Sequence, residues 1–418
     1  MRIALIYDRV YPWVHGGGEK TLWDIALQLN RRGHEVHYFG TKLWEGPDCL
    51  ISEGITLHGV CAASKFYTGE GKRTFGQPLR FGLGLFRALW RERKAPFDLI
   101  DCTVFPYFSV LAVWLFRALG GCRAPWILSW LEVWGRQYWN TYLGSRWKGL
   151  LGFLTEWLCA RCCENHVVIS PLQAARLQSL LGVPAGEIHV VPRGIHLNLL
   201  PGSSQKHRRR VIYAGRMAPY KNLGTVLRAW PSVLCACPDA TLRIIGSGPD
   251  QRELEELARV LGLAHSVEIL PPKSTWEEIV GAIAAAEIFV QPSIREGQSV
   301  ATIEAMAMGT VVVASRHHES AVSDLVVHGT NGLLVDEWNE PEAWSRALLE
   351  LLNDSLRLSA LALAGRQTAQ RYDWVTEIIP QLGALHSTVA SRSHAPAAAN
   401  SNSVPLFRHG PAIKSITP

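Results

Sequence analysis

Short runs of apolar and β-branched residues alternate with longer segments of helical period along most of the chain. Continuous apolar runs bounded by turn residues predict strands that are buried on both faces. In the first half these runs are RIALIY, EVHYFG, DLIDC, WILSW, HVVIS and HVVP, and in the second half VIYAG, TLRIIG, VEIL, IFVQPS, TVVVAS and GLLV. The pattern is typical of parallel sheets covered by helices, which places the chain in the α/β class.

Segments with helical spacing of apolar residues separate these runs. They fall at about 18–32, 79–94, 107–119, 147–163 and 171–181, and near the end at about 340–352, 355–371 and 374–386. The most apolar segment, YFSVLAVWLFRALGG, contains Arg117 and falls short of the ~18 apolar residues that a membrane span needs. We interpret it as a helix that flanks a sheet.

The repetition of the pattern predicts two Rossmann-like domains. At 418 residues the chain exceeds one typical hydrophobic core. The polar, turn-rich segment PGSSQKHRRR at 201–210 predicts the boundary, so we expect an N-terminal domain over 1–200 and a C-terminal domain over 201–373. A terminal helix at 374–386 follows. Residues 387–418 are rich in Ser, Ala, Pro and Asn, which predicts a disordered tail.

Composition and charge are those of a globular protein with an uneven charge distribution. Hydrophobic residues make up 48% of the chain and charged residues 19%. Residues 1–200 hold 22 basic and 15 acidic side chains, whereas residues 201–386 hold 17 and 21. The basic first half favours an anionic acceptor or membrane surface, although a small excess is also usual on a solvated domain. We predict no nucleic-acid partner.

The nine cysteines lie mostly inside apolar runs. Cys159, Cys162 and Cys163 contain a C-x-x-C spacing, but no second pair accompanies it, and we interpret the three as packing residues. The chain starts with the strand-like MRIALIYD and not with a positively charged signal peptide. We therefore expect a reducing, cytoplasmic setting.

The segment AGRMAPYKN carries a pair of cations just after the predicted strand VIYAG. Arg216 and Lys221 therefore lie beyond the carboxyl end of a strand, where open α/β sheets bind ligands. A guanidinium and an ammonium can together neutralise a pyrophosphate. Asn222 is placed to cap the following helix.

The segment REGQSVATIEAMAMG carries two carboxylates around a turn that opens a helix. Glu296 lies in the loop after the strand IFVQPS, and Glu304 lies more than one turn into the helix, which Gly309 ends. The free N–H groups of the helix start favour an anion, and carboxylates accept hydrogen bonds from sugar hydroxyls. Together the two segments predict a nucleotide-sugar site.

Near the start, three glycines separate a strand from a helix in YPWVHGGGEKTL. Gly16, Gly17 and Gly18 allow close approach of backbone to a ligand, and ordinary turn chemistry explains them equally well.

At this point the chain resembles the retaining GT-B glycosyltransferases of family four. The resemblance covers about residues 1–386 and is carried by HGGGEK, AGRMAPYKN, GSGPDQREL, VQPSIREGQSVATIEAMAMG and GTNGLLV in that order. It implies two Rossmann-like domains that face each other across a cleft, with the donor in the second domain and the acceptor mainly in the first. It also implies that the terminal helix packs back onto the first domain.

The resemblance also assigns roles to residues. Arg216 and Lys221 match the residues that hold the diphosphate, Glu304 matches the one that holds the ribose, and Glu296 matches the one beside the reacting carbon. We therefore predict Glu296, Arg216 and Lys221 as catalytic residues. The implied reaction retains the anomeric configuration, with the leaving phosphate accepting the acceptor's proton and no protein nucleophile.

Further donor contacts follow from the same resemblance. Gly17 and Gly18 match glycines that face the donor phosphates, and Gly297, Gln298 and Ser299 match a loop whose backbone N–H groups reach the sugar or phosphate. The chain contains no Asp-x-Asp motif, so we expect neither a metal ion nor a cofactor. The expected partners are a nucleotide-sugar donor and a glycan, lipid-linked or small-molecule acceptor.

The acceptor-side segment LSWLEVWGRQYW departs from the family pattern. Relatives commonly carry His before Glu132, whereas this chain has Leu131, which can neither donate nor accept a hydrogen bond. Glu132 and Trp134 complete the predicted acceptor side. Smaller departures affect donor-sugar specificity: Gln298 and Ser299 replace Phe-Gly, His317 and His318 replace a Gly pair, and Arg193 replaces Asn.

Two apolar patterns leave alternatives open. The segment LRFGLGLFRALWRERK places Leu79, Leu83, Phe86 and Trp90 on one helical face and Arg80, Arg87 and Arg91 on another. Such a helix can lie peripherally on the inner face of a membrane or pack its apolar face in the core. The aromatic run from Trp130 to Trp147 can stack on a sugar or lie at a lipid interface, or it can fill the core.

Two other functions are compatible with parts of the sequence. Leu131 motivates a catalytically impaired nucleotide-sugar sensor or partner subunit, which would bind donor without turnover. A dehydrogenase of the NAD-dependent class would need a glycine fingerprint with an acidic residue ~20 positions further on, and the chain lacks it.

Overall fold

A computed structural model describes residues 1–14, 17–64, 74–201, 205–273 and 275–392 of the protein. Two α/β units follow each other along these residues, and each is built around one sheet. The expected α/β class and the two Rossmann-like domains are confirmed.

The first sheet has eight strands in the order β3-β4-β2-β1-β5-β6-β7-β8, and only the β3–β4 pair is antiparallel. The strands are β1 Arg2–Ile6, β2 Glu35–Lys42, β3 Cys49–Ser52, β4 Ile55–Ala62, β5 Leu99–Thr103, β6 Trp126–Trp130, β7 His166–Val168 and β8 Ile188–Val190. The helices are α1 Gly17–Arg31, α2 Gly76–Glu92, α3 Tyr107–Ala118, α4 Gly135–Leu143, α5 Arg146–Ala160 and α6 Pro171–Leu181.

The second sheet has six parallel strands in the order β11-β10-β9-β12-β13-β14. The strands are β9 Arg210–Ala214, β10 Thr241–Ile245, β11 Val267–Leu270, β12 Ile288–Gln291, β13 Val311–Ser315 and β14 Gly332–Val335. The helices are α7 Leu223–Ala236, α8 Gln251–Val260, α9 Trp276–Ala284, α10 Val300–Ala307, α11 Pro341–Leu352 and α12 Ser355–Ala369.

Each sheet separates two apolar layers, which explains why the strands have unbroken apolar sequences. Every residue of β12 and β13 is buried, because helices cover both faces of the second sheet. Alternate residues of one strand enter different clusters: Val211 packs with Trp230 on one face, and Ile212 packs with Ile303 on the other.

The chain returns to the first domain after α12. Trp374, Ile378 and Leu382 share one buried cluster with Ile3 and Leu5 of β1. The Asp373 carboxylate accepts hydrogen bonds from the backbone N–H groups of residues 375 and 376, which fixes the start of this segment. Helix α13 then covers Ile379–Arg392.

The prediction that a disordered tail begins at residue 387 is wrong by at least six residues, because α13 continues through residues 387–392. The helix extends this far because Val389 and His386 are both buried against the first domain. The rest of the predicted tail, 393–418, lies outside the described residues.

Helix α2 buries a different face from the one grouped in the sequence. Phe81, Leu85 and Leu89 are fully buried, whereas Leu79 and Leu83 are exposed. Gly82 explains the choice of face, since a Cβ there would lie 2.8 Å from the backbone oxygen of Phe108 in α3. One face of the helix thus packs in the core, and arginines 80, 87 and 91 are exposed. Contact of the exposed face with a membrane stays a prediction. No helix within the described ranges is long and apolar enough to cross a membrane.

The carboxyl ends of the central strands of both sheets point into one cleft. The loop after β6 contacts the loop after β12, where the Arg295 side chain of the second domain donates to the Glu132 carboxylate of the first. This meeting of strand ends is where α/β folds bind ligands, and it contains most of the predicted site residues.

Candidate active site

The loop after β12 carries Glu296 and is held from two sides. The backbone N–H of Glu296 donates to the carbonyl of Glu319, and the N–H of Ala321 donates to the carbonyl of Glu296. At the end of β12, the Gln291 side-chain amide donates to Glu296 Oε1 at 2.6 Å and to Ser299 Oγ at 3.1 Å. The carboxylate therefore has a fixed position at the base of the cleft.

Lys221 lies on a short helical turn, Pro219–Lys221, and forms an ion pair with Glu296. The two loops are also joined by their backbones, because the N–H of Ile294 donates to the carbonyl of Tyr220 at 2.9 Å. Burial alone would lower the pKa of Lys221, but Glu296 and Tyr220 hold this pKa above its usual value. Lys221 is thus a charged ammonium in a largely buried position.

Asn222 starts α7 by a different bond from the predicted cap. Its Oδ1 accepts from the hydroxyl of Thr225 at 2.7 Å, and its amide donates to the carbonyl of Trp338. No backbone N–H of the helix is bonded to the side chain. The residue has φ 52°, a left-handed conformation that Asn tolerates better than most residues, and this turn sets the position of Lys221.

Arg216 is exposed on the wall of a cavity of about 460 Å³ beyond the ends of β9 and β10. Pro272 and Ile279 line the apolar side of this cavity, and residues 214–216 and 245–248 line the other. Gly248 has a packing role here, since a Cβ would lie 1.9 Å from the Met217 carbonyl oxygen. The cavity combines an apolar wall with an accessible guanidinium, which suits the base and phosphates of a nucleotide.

Glu304 is buried inside α10 and is held by Trp276 at the start of α9. The indole Nε1–H donates to Glu304 Oε1 at 2.6 Å. Burial raises the pKa of Glu304 to about 7, although the indole hydrogen bond and the nearby Lys20 charge both lower it. Lys20 belongs to α1 of the first domain and lies 5.6 Å from the Trp276 ring, so Glu304 faces both domains.

The two domains lie in close contact at Gly297. A Cβ at this position would lie 2.6 Å from the Leu131 carbonyl oxygen, so only glycine permits the contact. The next residue, Gln298, accepts a hydrogen bond from the backbone N–H of Arg193 at 2.7 Å and returns one to its carbonyl at 3.2 Å. Backbone of the first domain is therefore bonded to the loop of the second.

Four charged side chains cross the cleft beside this contact. The Arg295 guanidinium donates to Glu132 and lies 3.4 Å from Glu319, which in turn pairs with Arg176 at 2.9 Å. Arg295 is 5% exposed and lies 3.5 Å from the centre of the Tyr138 ring. Cations from each domain thus share carboxylates across the cleft.

Most of the predicted site residues lie at the cleft, although some of them make contacts other than those expected. Ser299 caps α10 through its hydroxyl, which accepts from the N–H of Thr302. Trp134 donates from its indole to Glu132 at 3.1 Å and packs with Tyr138 and Tyr142. Gly17 and Gly18 start α1 and face Arg193, and the predicted third glycine, at position 16, lies outside the described residues.

The aromatic run divides between core and cleft. Trp130 and Trp139 are buried, and Trp147 is 79% exposed on α5, away from the packed rings. Trp134, Tyr138 and Tyr142 pack together next to Glu132, and the buried Trp139 packs on Trp134 with the ring centres 4.7 Å apart. The sequence did not indicate this division, because the run contains both strand and helix residues.

Several residues of the site were not predicted from the sequence. They are Arg295, Gln291, Trp276, Lys20, Arg176 and Glu319. Arg295 and Gln291 lie close to the Glu-Gly turn in the sequence, and this position could have identified them as site residues. Trp276 and Arg176 had no such signal, because only the tertiary fold brings them to the cleft, and Lys20 ends the motif HGGGEK but had no predicted role.

Comparison with known proteins identifies the family of this chain. The family described as "Glycosyl transferases group 1" matches residues 208–354, and the "Glycosyl transferase 4-like domain" matches residues 16–194. The D-inositol 3-phosphate glycosyltransferase of Corynebacterium diphtheriae is 33% identical over 90% of this chain and 92% of its own.

Solved structures share the fold. Sucrose-phosphate synthase from Thermosynechococcus elongatus superposes with a TM-score of 0.77 at 20% identity, over 94% of this chain and 99% of its own. Anabaena Alr3699/HepE in complex with UDP-glucose superposes with a TM-score of 0.69 at 18% identity, over 93% of this chain and 100% of its own. At these identities the likeness concerns the fold alone.

The Arg295 contacts predict that this side chain keeps the cleft closed. In Arg295→Met, Glu132 and Glu319 lose a shared cation while the apolar part of the side chain is kept, at a cost of roughly 1–3 kcal/mol for these partly buried pairs. We expect a larger radius of gyration in small-angle X-ray scattering. Arg316→Met, which removes an exposed pair with Asp336, is the control. Identical scattering of Arg295→Met and wild type would contradict the prediction.

Proposed function

Because the chain belongs to the group 1 glycosyltransferases, with the GT-B fold of family four, we propose that it transfers a sugar from a nucleotide diphosphate to a hydroxyl acceptor with retention of configuration. The chain is a glycosyltransferase of the type that uses nucleotide-sugar donors. Retention, independence from metal ions and the roles of individual residues are parts of the proposal.

The contact of Lys221 with Glu296 is the observation that carries it. The pair lies where the loops after β9 and β12 meet, next to the start of α10 and facing the first domain across the cleft. A donor with its base in the cavity beside Arg216 extends its diphosphate toward Lys221. The sugar then lies beside Glu296, opposite the acceptor side at Glu132.

The reaction breaks the bond between the anomeric carbon and the phosphate oxygen, which leaves additional negative charge on the diphosphate. Arg216 and Lys221 offer positive charge where this charge develops, and Lys221 is held in place before the donor arrives. The acceptor hydroxyl attacks on the face of the leaving group, and its proton passes to the departing phosphate oxygen. Glu296 orients Lys221 and the sugar and forms no covalent bond.

Two features support the choice of substrates. Structures of Anabaena Alr3699/HepE contain UDP and UDP-glucose, which supports a nucleotide-sugar donor. The C. diphtheriae relative bears the name of an enzyme for a phosphorylated inositol, which favours a small polyol or glycan acceptor. The rings of Trp134, Tyr138 and Tyr142 offer an apolar surface for such an acceptor beside Glu132.

Leu131 supports a second candidate function. Its Cδ1 would lie 3.4 Å from a Cβ at Gly18, so a methyl group occupies the place beside the glycine loop where relatives carry an imidazole. A chain that binds donor without turnover would be a nucleotide-sugar sensor or a partner subunit. Measured turnover separates the two functions.

The decisive experiment is a turnover assay with a panel of UDP-, GDP- and ADP-sugars. We expect one donor to be consumed, and Lys221→Ala or Arg216→Ala to lower the rate by about 10- to 150-fold, because each removes a charge-assisted hydrogen bond worth roughly 1.5–3 kcal/mol. Arg346→Ala, on the exposed surface of α11, is the control. Unchanged turnover in both cleft variants would refute the assignment, and binding without turnover would establish the sensor.

Independence from metal ions is tested by chelation. Arg216, Lys221 and the start of α10 supply the positive charge in the proposed mechanism, so we expect the rate in excess EDTA to equal that without it. Complete loss of activity in EDTA, restored by a divalent cation, would show that a metal ion holds the diphosphate.

The pKa of Glu304 predicts a pH dependence of donor use. Above about pH 7 this buried group is a carboxylate that accepts hydrogen bonds from ribose hydroxyls, and below it the group is protonated. We therefore expect kcat/KM for the donor to rise with pH by up to about tenfold per unit below 7 and to level off above it. Glu304→Gln should remove this slope, whereas Glu342→Gln, exposed on α11, should keep it. The same slope in Glu304→Gln would assign the titration to another group.

A further inference from the structure

Arg193 is a cation in the cleft that the mechanism above does not use. It follows β8 at the edge of the first domain, and Gln298 of the second domain binds its backbone in both directions. Its guanidinium points at the start of α1. The Nη1 atom would lie 3.6 Å from a Cβ at Gly17, and the Nη2 atom 3.7 Å from one at Gly18.

The guanidinium has no carboxylate of its own. Its Nε is buried without a hydrogen-bond partner in the part of the chain that the structure describes. The two carboxylates whose charge acts on it already have other cations: Glu19 pairs with Arg9 at 2.5 Å, and Glu296 pairs with Lys221. Burial lowers the pKa of Arg193, yet a guanidinium stays protonated at physiological pH. Neither carboxylate forms a salt bridge with Arg193 in the part of the chain that the structure describes.

The start of α1 adds to this positive field. Gly17 and Gly18 are the first residues of a 15-residue helix, whose first N–H groups have no intrahelical partner. A cation beside the positive end of a helix is unfavourable by itself. An anion that accepts hydrogen bonds from the guanidinium and from these N–H groups would satisfy both.

We propose that Arg193 binds the phosphate of the donor that is attached to the sugar. This inference rests on the proposed function. The cavity beside Arg216 places the nucleoside at the ends of β9 and β10. Glu296 pairs with Lys221, and its charge also acts on Arg193. A diphosphate that leaves the cavity passes Arg216 first and reaches Lys221 and Arg193 with its outer phosphate.

The consequence is a leaving group held from both domains. Arg216 and Lys221 belong to the second domain and Arg193 to the first. The phosphate that takes up charge as the sugar departs would therefore draw the two domains together, and the cleft would be most tightly closed when the transferred bond breaks.

The test compares nucleotides that differ by one phosphate. Binding of UDP, GDP and ADP and of UMP, GMP and AMP is measured by calorimetry with wild type, Arg193→Gln and Arg193→Lys. For the base that binds, we expect Arg193→Gln to weaken the diphosphate by about 10- to 150-fold and the monophosphate by less than threefold. Arg193→Lys should recover part of the loss. Arg123→Gln, exposed on the first domain, is the control.

Other results would contradict this assignment. Equal losses for diphosphate and monophosphate, or no loss for either, would overturn the assignment of Arg193 to the outer phosphate. Unchanged diphosphate binding with a raised KM only for donors that carry a sugar carboxylate, or only for a phosphorylated acceptor, would assign Arg193 to that anion instead. If wild type binds none of the six nucleotides, the proposed function fails first, and this inference fails with it.

Discussion

The contact between Gly297 and the Leu131 carbonyl oxygen is the constraint on which the cleft depends. Two loops from different domains come within contact distance there, and any side chain at Gly297 would prevent it. The neighbouring residues of each loop then fall into bonding range, Gln298 with Arg193 and Arg295 with Glu132. The candidate active site thus contains residues of both domains.

Much of the fold could be predicted because buried parallel strands have a simple signal. Runs such as IFVQ and VVVAS are apolar on both faces and admit few other interpretations. The β3–β4 hairpin and helix α4 were missed, since β3 is half exposed and lacks such a run and α4 is short and follows directly on an aromatic segment. The tail boundary was misplaced because Val389 is buried by a core that is distant in sequence.

The sequence predicted those site residues that their neighbours along the chain identify. It missed those that only the tertiary fold brings to the cleft. Lys221 and Glu296 are flanked by strand ends and turns that identify them, and the structure pairs them. The partners of Glu132 and Glu304 are Arg295 and Trp276, at separations of 163 and 28 positions, which no periodicity encodes. The sequence also contained Arg193 as a departure from the family pattern, but only the geometry shows that its Nε is buried without a hydrogen-bond partner among the described residues.

The return of the chain at Trp374 has a consequence for biosynthesis. Ile3 and Leu5 emerge from the ribosome first, yet the apolar cluster that buries them includes Ile379 and Leu382, which are translated near the end. The nascent first domain therefore carries an uncovered apolar face while the whole second domain is being made. The second sheet is complete within its own stretch of chain, whereas the apolar cluster of the first sheet is complete only once residues 374–389 have been synthesised.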